Sequence, residues 1–343
     1  MRILILLLVI LVFQPITLVA QDIQYSQYYN NPLYLNPAFA GASPAHRIVL
    51  NHRLQWPNLP KVFTNSSLSY DANIKGLNSG FGILLSEDKA GTANLRSTAI
   101  SFNYSYTVSF GNKWIFRPGL VFGIVDRNID FQNILFGDQI DFNVPGSSSF
   151  DPNALFIRGS SYYDIGTGGL IYNAKYWLGF SVFHLNKPRN TLLSGQTTLE
   201  RRLTIHAGAK FPLDNPIFRG DRYPSFAPGF IYKKQGEFQQ MDLGATFSYQ
   251  PFSIGLWYRG IPFLNTITSQ SSNDAVILSL GLEYEKFQFG YSFDMTISGL
   301  GANSGGAHEF SLQYLFEIKD NPKRTKKRLK YLPCPAFNNK TYD

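Results

Sequence analysis

The chain has 343 residues, with 31 Lys and Arg against 23 Asp and Glu and a formal net charge of +8; 16% of its residues are charged and 15% aromatic, including 20 Tyr and 29 Phe. Ordinary soluble domains carry about 25% charge, and after the first twenty residues no stretch is apolar over the ~20 residues that a membrane-spanning helix needs, so composition disfavours the first class and excludes a helical membrane protein. The basicity does not mark a nucleic-acid surface, because eight Lys or Arg and two acids lie in Lys319–Asp343, leaving residues 21–318 near +1.

In chain order, Met1 and Arg2 precede the apolar run Ile3 to Phe13, then Pro15 and the small residue Ala20. That is the pattern of a secretory signal peptide over residues 1–20, cut before Gln21. The single cysteine, Cys334, has no partner for an internal disulfide and lies far from the cleavage site, so it is not read as a lipid anchor.

Residues 21–45 hold five aromatics (Tyr25, Tyr28, Tyr29, Tyr34 and Phe39) and two Asn-Pro pairs that break regular structure. Such a segment makes no ladder of its own, yet its rings require burial. The lumen of a barrel, or its periplasmic mouth, is the expected place, where the segment would occlude a pore.

From residue 46 onward the apolar residues recur with period two. Phe287, Phe289, Tyr291, Phe293 and Met295 alternate with Gln288, Gly290, Ser292 and Asp294, the pattern of a strand with one apolar and one polar face. Met241 to Gln250 and Arg202 to Phe211 behave alike. The same reading places strands near 46–56, 62–72, 80–87, 95–110, 113–125, 162–173, 176–185, 202–211, 224–233, 238–249, 252–259, 275–284, 287–295 and 308–318, about fourteen in all, within a range of 12 to 16.

Connection lengths alternate. Tight joins at 111–112, 174–175, 250–251 and 285–286 lie between long ones at 126–161, 186–201, 260–274 and 296–307, while a long 212–223 and a short 235–237 break the rule. Short periplasmic turns and long external loops characterise outer-membrane barrels. The expected fold is therefore an all-β, transmembrane antiparallel barrel over 46–318 in the outer membrane, with a basic periplasmic tail at 319–343. A soluble sandwich would not need the loop asymmetry.

Catalytic and metal chemistry is not legible. His46, His52, His184, His206 and His308 lack zinc-site spacings, and the glycines at 299, 301, 305 and 306 fall in an outer loop, where flexibility explains them better than a phosphate cradle. His308 and Glu309 adjoin that loop with no nucleophile signature, so they are expected to join a polar network. The sequence implies no enzyme, cofactor or nucleic-acid partner; its membrane setting implies contact with outer-membrane lipid and lipopolysaccharide.

Several strings carry a resemblance: LNPAFAG (35–41), HRIVLNHRLQWP (46–57), Ser69-Tyr70-Asp71, DIGTGGLIYNAKYWLGFSVFHLNKP (164–188), PSFAPGF, IGLWYRG, FGYSFDMTISGL and GGAHEFSLQYLF. As an ordered set the sequence resembles the PorP/SprF family of type IX secretion system membrane proteins of Bacteroidetes, over roughly 36–316. Phe293-Asp294 stands where Tyr-Asp is common, and Ala307 where Ser is common. The resemblance implies that Asn36, Pro37, Gly41, Arg47, Arg53, Gln55, Trp56, Tyr70, Asp71, His184, Tyr258, Arg259, Tyr291, Asp294, His308 and Glu309 serve structure or partner binding. It further implies export or surface anchoring of a secreted protein with a type IX C-terminal domain, such as a gliding adhesin, together with other components of that machine. The competing expectation is a passive porin or small-solute transporter, against which the inward rows, read as sparse in charge, argue mildly.

Overall fold

A computed structural model describes residues 22–59, 63–74, 76–91, 95–111, 113–129, 159–190, 198–213, 224–261, 273–299 and 301–317. The signal-peptide assignment at 1–20, the basic tail at 319–343 and Cys334 lie outside the described residues, as does most of the long connections 126–161 and 260–274.

Sixteen strands are described: β1 His46–Gln55, β2 Phe63–Ile74, β3 Ser79–Ala90, β4 Leu95–Tyr106, β5 Val108–Phe110, β6 Trp114–Asn128, β7 Ser160–Tyr172, β8 Tyr176–Phe183, β9 Arg202–Ala209, β10 Phe211–Pro212, β11 Ser225–Gln235, β12 Phe238–Tyr249, β13 Phe252–Gly260, β14 Asn273–Tyr284, β15 Phe287–Thr296 and β16 Ala307–Phe316. Fourteen of them form one closed antiparallel barrel, while β5 and β10 are short extensions paired with β6 and β11. Closure is made by β1 against β16, from His46 opposite Phe316 to Gln55 opposite Ala307. Such closure gives each of the fourteen strands a partner on both sides, which is what a hydrocarbon setting demands of backbone N–H and C=O groups.

Strand ends are set by their partners. The expected strand 95–110 divides at Thr107, because β3 begins at Ser79 opposite Tyr106 and nothing continues the ladder on that side; the Thr107 amide donates instead to the Asn78 carbonyl at 2.6 Å. Likewise β9 stops at Ala209, opposite the start of β8, and β16 stops at Phe316, opposite the start of β1. The glycine-rich connection 296–307 is also more ordered than expected in its described part. Ser304 is buried, and the carbonyls of Ser304 and Gly306 accept from the amides of Asn58 and Trp56.

Alternation sorts the side chains. Outward positions carry Leu50, Leu85, Ile100, Phe122, Leu178, Leu256, Leu280 and Phe310, all exposed. At the end bearing the tight turns they become amphipathic aromatics, among them Tyr106, Trp114, Tyr176, Tyr249 and Tyr284. This is the girdle expected where a barrel leaves hydrocarbon for headgroups, and the turn lengths make that end periplasmic. Both termini of the barrel wall lie there. Inward positions are mostly polar or small, but Ile115, Leu170, Trp177, Ile231, Trp257 and Ile277 also point in and form one core with Tyr28, Tyr29, Leu35, Ala38 and Phe39 from the segment ahead of β1.

Leu120 lies midway along β6 and is 60% exposed on the outer face. Leu120→Arg is expected to destabilise the barrel by about 2–4 kcal/mol, the cost of a cation at bilayer mid-depth, measured by urea unfolding in vesicles. The inward replacement Ser101→Thr should change stability little.

Candidate functional site

The lumen is occupied by the chain's own N-terminal segment. Residues 22–27 are irregular, followed by single helical turns at Tyr28–Asn30, Pro32–Leu35 and Pro37–Phe39. The two Asn-Pro pairs impose this shape: each Pro opens a turn, and the Asn36 side chain caps the last one by accepting from the Ala38 amide at 2.9 Å.

The segment runs from the extracellular half of the lumen to the periplasmic rim. At its upper end the Asp22 carboxylate meets Arg202 at 2.9 Å and His184 Nε2 at 2.7 Å, while Gln235 bonds both its amide and its side chain. His184 stands just past the end of β8 with φ of 57°, and its Nδ1 bonds Asp164 at 2.9 Å. Arg202 stacks over Tyr34 at 4.4 Å and donates to its hydroxyl at 2.6 Å.

One turn of chain below is the main clamp. Arg53 and Arg259 both bind Asp294, at 2.8 and 3.0 Å; Arg259 also binds Asp242 at 3.0 Å, and Arg53 also binds Glu309 at 3.2 Å. The segment threads through these charges. Ser26 donates its hydroxyl to Asp294 at 2.6 Å and its amide to Glu309 at 2.7 Å, and it accepts from both guanidinium groups. The Gln27 amide also donates to Glu309, and the Tyr28 hydroxyl donates to Asp242. Lys233 bonds Gln24 at 3.1 Å beside the Tyr28 ring. With it the cluster holds three cations and three carboxylates, all buried.

Towards the periplasm the wall is shaped to fit. The Asn36 amide donates to the carbonyls of Gly169 and Phe180, at 3.0 and 2.9 Å, and to His206 Nε2 at 3.2 Å. Arg117 donates to the carbonyls of Ala38 and Ala40, at 3.1 and 2.6 Å. Arg47 and Asp71 form a fully buried bidentate pair, at 2.7 and 3.1 Å, and Asp71 also accepts from the Gly41 amide. Gly41 has φ of +61°, and a Cβ there would lie 2.4 Å from the Ala72 carbonyl oxygen. Only glycine permits the turn into β1 at this distance.

The motif positions thus fall into four groups. Asn36, Pro37 and Gly41 lie in the segment, and Arg47, Arg53, Asp71, Arg259, Asp294 and Glu309 face it from the wall. Tyr70, Tyr258, Tyr291 and His308 point outward, where Tyr291 bonds His308 at 2.9 Å. Gln55, Trp56 and His184 sit at the extracellular ends of strands. Two expectations need correction. His308 and Glu309 do not act as a pair, because alternation sends them to opposite faces of β16 and Glu309 alone joins the polar network. The inward rows are not sparse in charge either; their charges lie on isolated alternate residues such as Asp242 and Arg117, which a glance along one row misses. Asp22, Ser26, Gln27, Arg202 and Lys233 also belong to the site without having been singled out, while Tyr28 enters it as a ring that required burial and His206 as a histidine considered only as a zinc ligand. Only inward parity on their strands could have drawn attention to Arg202, His206 and Lys233. Among the described residues no three His, Cys, Asp or Glu side chains are arranged to hold a metal ion.

Fold and site together define a plugged outer-membrane β-barrel. The family model "Type IX secretion system membrane protein PorP/SprF" matches residues 18–314, and the chain belongs to that family. It is an outer-membrane component of the type IX secretion system class. Among curated proteins no sequence matches the chain. Solved structures similar to it include the Acinetobacter baumannii outer membrane protein Omp33 (5% identity, TM-score 0.41, covering 80% of this chain and 100% of that one) and CdiB from Acinetobacter baumannii (10%, 0.43, 79% and 60%). A KdgM porin is also similar (10%, 0.35, 79% and 99%).

Removing one member of a buried ion cluster strands its partners, at a cost of about 3–5 kcal/mol. Arg53→Met is therefore expected to loosen the segment before the wall. Trp177 and Trp257 pack against Tyr29 and Tyr28, so their fluorescence should change at a lower urea concentration than barrel unfolding.

Burial alone would depress His184, but Asp22 and Asp164 outweigh it and hold its pKa up at about 9. Asp22 is held below the usual carboxylate range, because His184 and Arg202 overcome the upward push of burial. A raised His pKa stabilises the protonated, folded form, here by about 3 kcal/mol. That stabilisation is complete below about pH 6.5 and is lost as pH rises through about 9. In a Cys334→Ser background, Ile23→Cys should react with an external thiol reagent faster at pH 10 than the higher thiolate fraction alone explains, and His184→Gln should remove the excess.

Proposed function

We propose that this barrel works by binding rather than by conduction or catalysis: it holds a secreted protein carrying a type IX C-terminal domain at its extracellular face and supports that protein's export or anchoring. A gliding adhesin is one such client. Other secretion components would be met at the periplasmic rim. The observation that carries the reading is the filled lumen. Among the described residues, a segment bonded to β1, β2, β4, β6 to β9, β11 to β13, β15 and β16 leaves no wide aqueous path, and the barrel becomes a rigid frame whose free surfaces are its loops and ends. Family membership supplies the process in which such a frame takes part.

A passive porin requires an open lumen with charges facing a channel, whereas the inward charges here are spent on one another and on the segment. In planar bilayers the intact protein is expected to conduct little current, and deletion of residues 21–41 to raise it; large stable conductance by the intact chain would overturn the sealed-frame reading. Crosslinking in native outer membranes should recover a secreted protein with a type IX C-terminal domain. Recovery of lipid and lipopolysaccharide alone would favour the porin.

A further inference from the structure

The segment does not fill the lumen evenly. On the side of β12, β13, β15 and β16 it is clamped by long charged side chains, whereas the inward positions of β3, β4 and β6 beside it include Ser86, Ala99, Ser101 and Gly123. A cavity of about 150 Å³ is left between that wall and the segment, a volume that admits a molecule of about benzene size.

Its mouth is a single ladder row. Asp88 of β3 lies opposite Ser97 of β4, and Ser97 opposite Arg127 of β6, so a carboxylate and a guanidinium flank the same opening across two strand spacings, about 10 Å of backbone, with only a serine between them. On the outer face beside that row stand Glu87, Lys89, Arg96 and Asp126, with Glu87 paired to both Lys89 and Arg96. Charges on the outer face place this end of the wall above the hydrocarbon, so the mouth opens to extracellular water.

We infer that this cavity is a binding site for one free α-amino acid with an apolar side chain, its ammonium on Asp88 and its carboxylate on Arg127. The charges facing the cavity from the segment side are already matched: Asp22 with His184 and Arg202, and Asp164 with His184. Asp88 and Arg127 make no ion pair among the described residues. Asp88 accepts on one oxygen from Asn65, and Arg127 donates through one nitrogen to Asn190, both neutral partners. The second Asp88 oxygen and the other guanidinium N–H groups are left for a ligand. In a half-closed site each charge gains from a fixed opposite charge, and a zwitterion brings both at once. A fatty acid, an amine or the end of a peptide chain answers only one of them.

Below the mouth the lining turns apolar. Leu84, Ala99, Val121 and Val125 of the wall, Phe183 at the end of β8 and Ile23 of the segment make the floor. Leu84, Val121, Val125 and Phe183 are all buried. A ligand charged at one end and branched and apolar at the other matches that order, and it gains from every methylene that enters the floor.

The test is isothermal titration calorimetry of the full-length barrel in detergent micelles with leucine, leucinamide and 4-methylpentanoate. Leucine is expected to saturate one site, and each analogue, lacking one of the two charges, to bind about tenfold more weakly. Asp88→Asn should erase the preference over 4-methylpentanoate and Arg127→Gln the preference over leucinamide, while Glu87→Gln, facing outward beside Asp88, should change neither. Ala99→Leu fills the floor and should abolish binding. Heat-modifiable migration on gels confirms that each variant is folded. Absence of saturable leucine binding by the intact barrel would overturn the inference, as would 4-methylpentanoate equalling leucine or a leucyl peptide binding more tightly than leucine itself.

Discussion

Asp294 is the residue on which the rest of the structure turns. One of its oxygens accepts from Arg53, Arg259 and Ser26, so the same carboxylate joins the first barrel strand, two later ones and the segment inside them. A buried carboxylate cannot stand alone, because its desolvation costs several kcal/mol unless cations and donors replace water. Here the replacement needs the segment as well as the wall. Without Ser26 and the Gln27 amide, Asp294 and Glu309 would each lose donors that only water entering the emptied lumen could replace.

That requirement links fold to function. A porin spends its inward charges on a water-filled path, whereas this chain spends them on holding its own N-terminal segment. Tyr28, Tyr29 and Phe39 then pack against Trp257, Trp177 and His206, closing the spaces between the charge layers. The outcome is a stiff cylinder with an apolar outside, in keeping with a component that presents surfaces to other members of a secretion machine. The segment starts near the extracellular half, at Asp22, and its clamp there borrows His184 and Arg202 from the ends of two strands. The extracellular face is therefore connected through the lumen to the periplasmic rim, where Gly41 turns into β1.

Much of this was legible in the sequence for a simple reason. A strand in a membrane barrel obeys two solvents at once, and period-two alternation such as Phe287 to Met295 records both. Tight turns such as Glu285–Lys286 mark where alternation restarts. Boundaries were less legible, because a strand stops where its neighbour stops: nothing in the residues around Thr107 announces that β3 begins opposite Tyr106. The site was the least legible. Ser26 and Gln27 are ordinary polar residues in an irregular stretch, and their partners Asp294 and Glu309 lie more than 260 positions away. No local pattern records such a contact. The resemblance brought forward Arg53, Arg259, Asp294 and Glu309, but it took the closed barrel to show that they meet, and alternation to separate Glu309 from His308.

The central claim is that the N-terminal segment is a fixed structural part of the barrel, clamped by buried charge. Hydrogen exchange at the Ser26 and Gln27 amides in the membrane-embedded protein tests it most directly, because both donate to Glu309. Protection comparable to the amides of β15 and β16 is the predicted result. Exchange at the rate of an unstructured peptide, with the strands still protected, would contradict it.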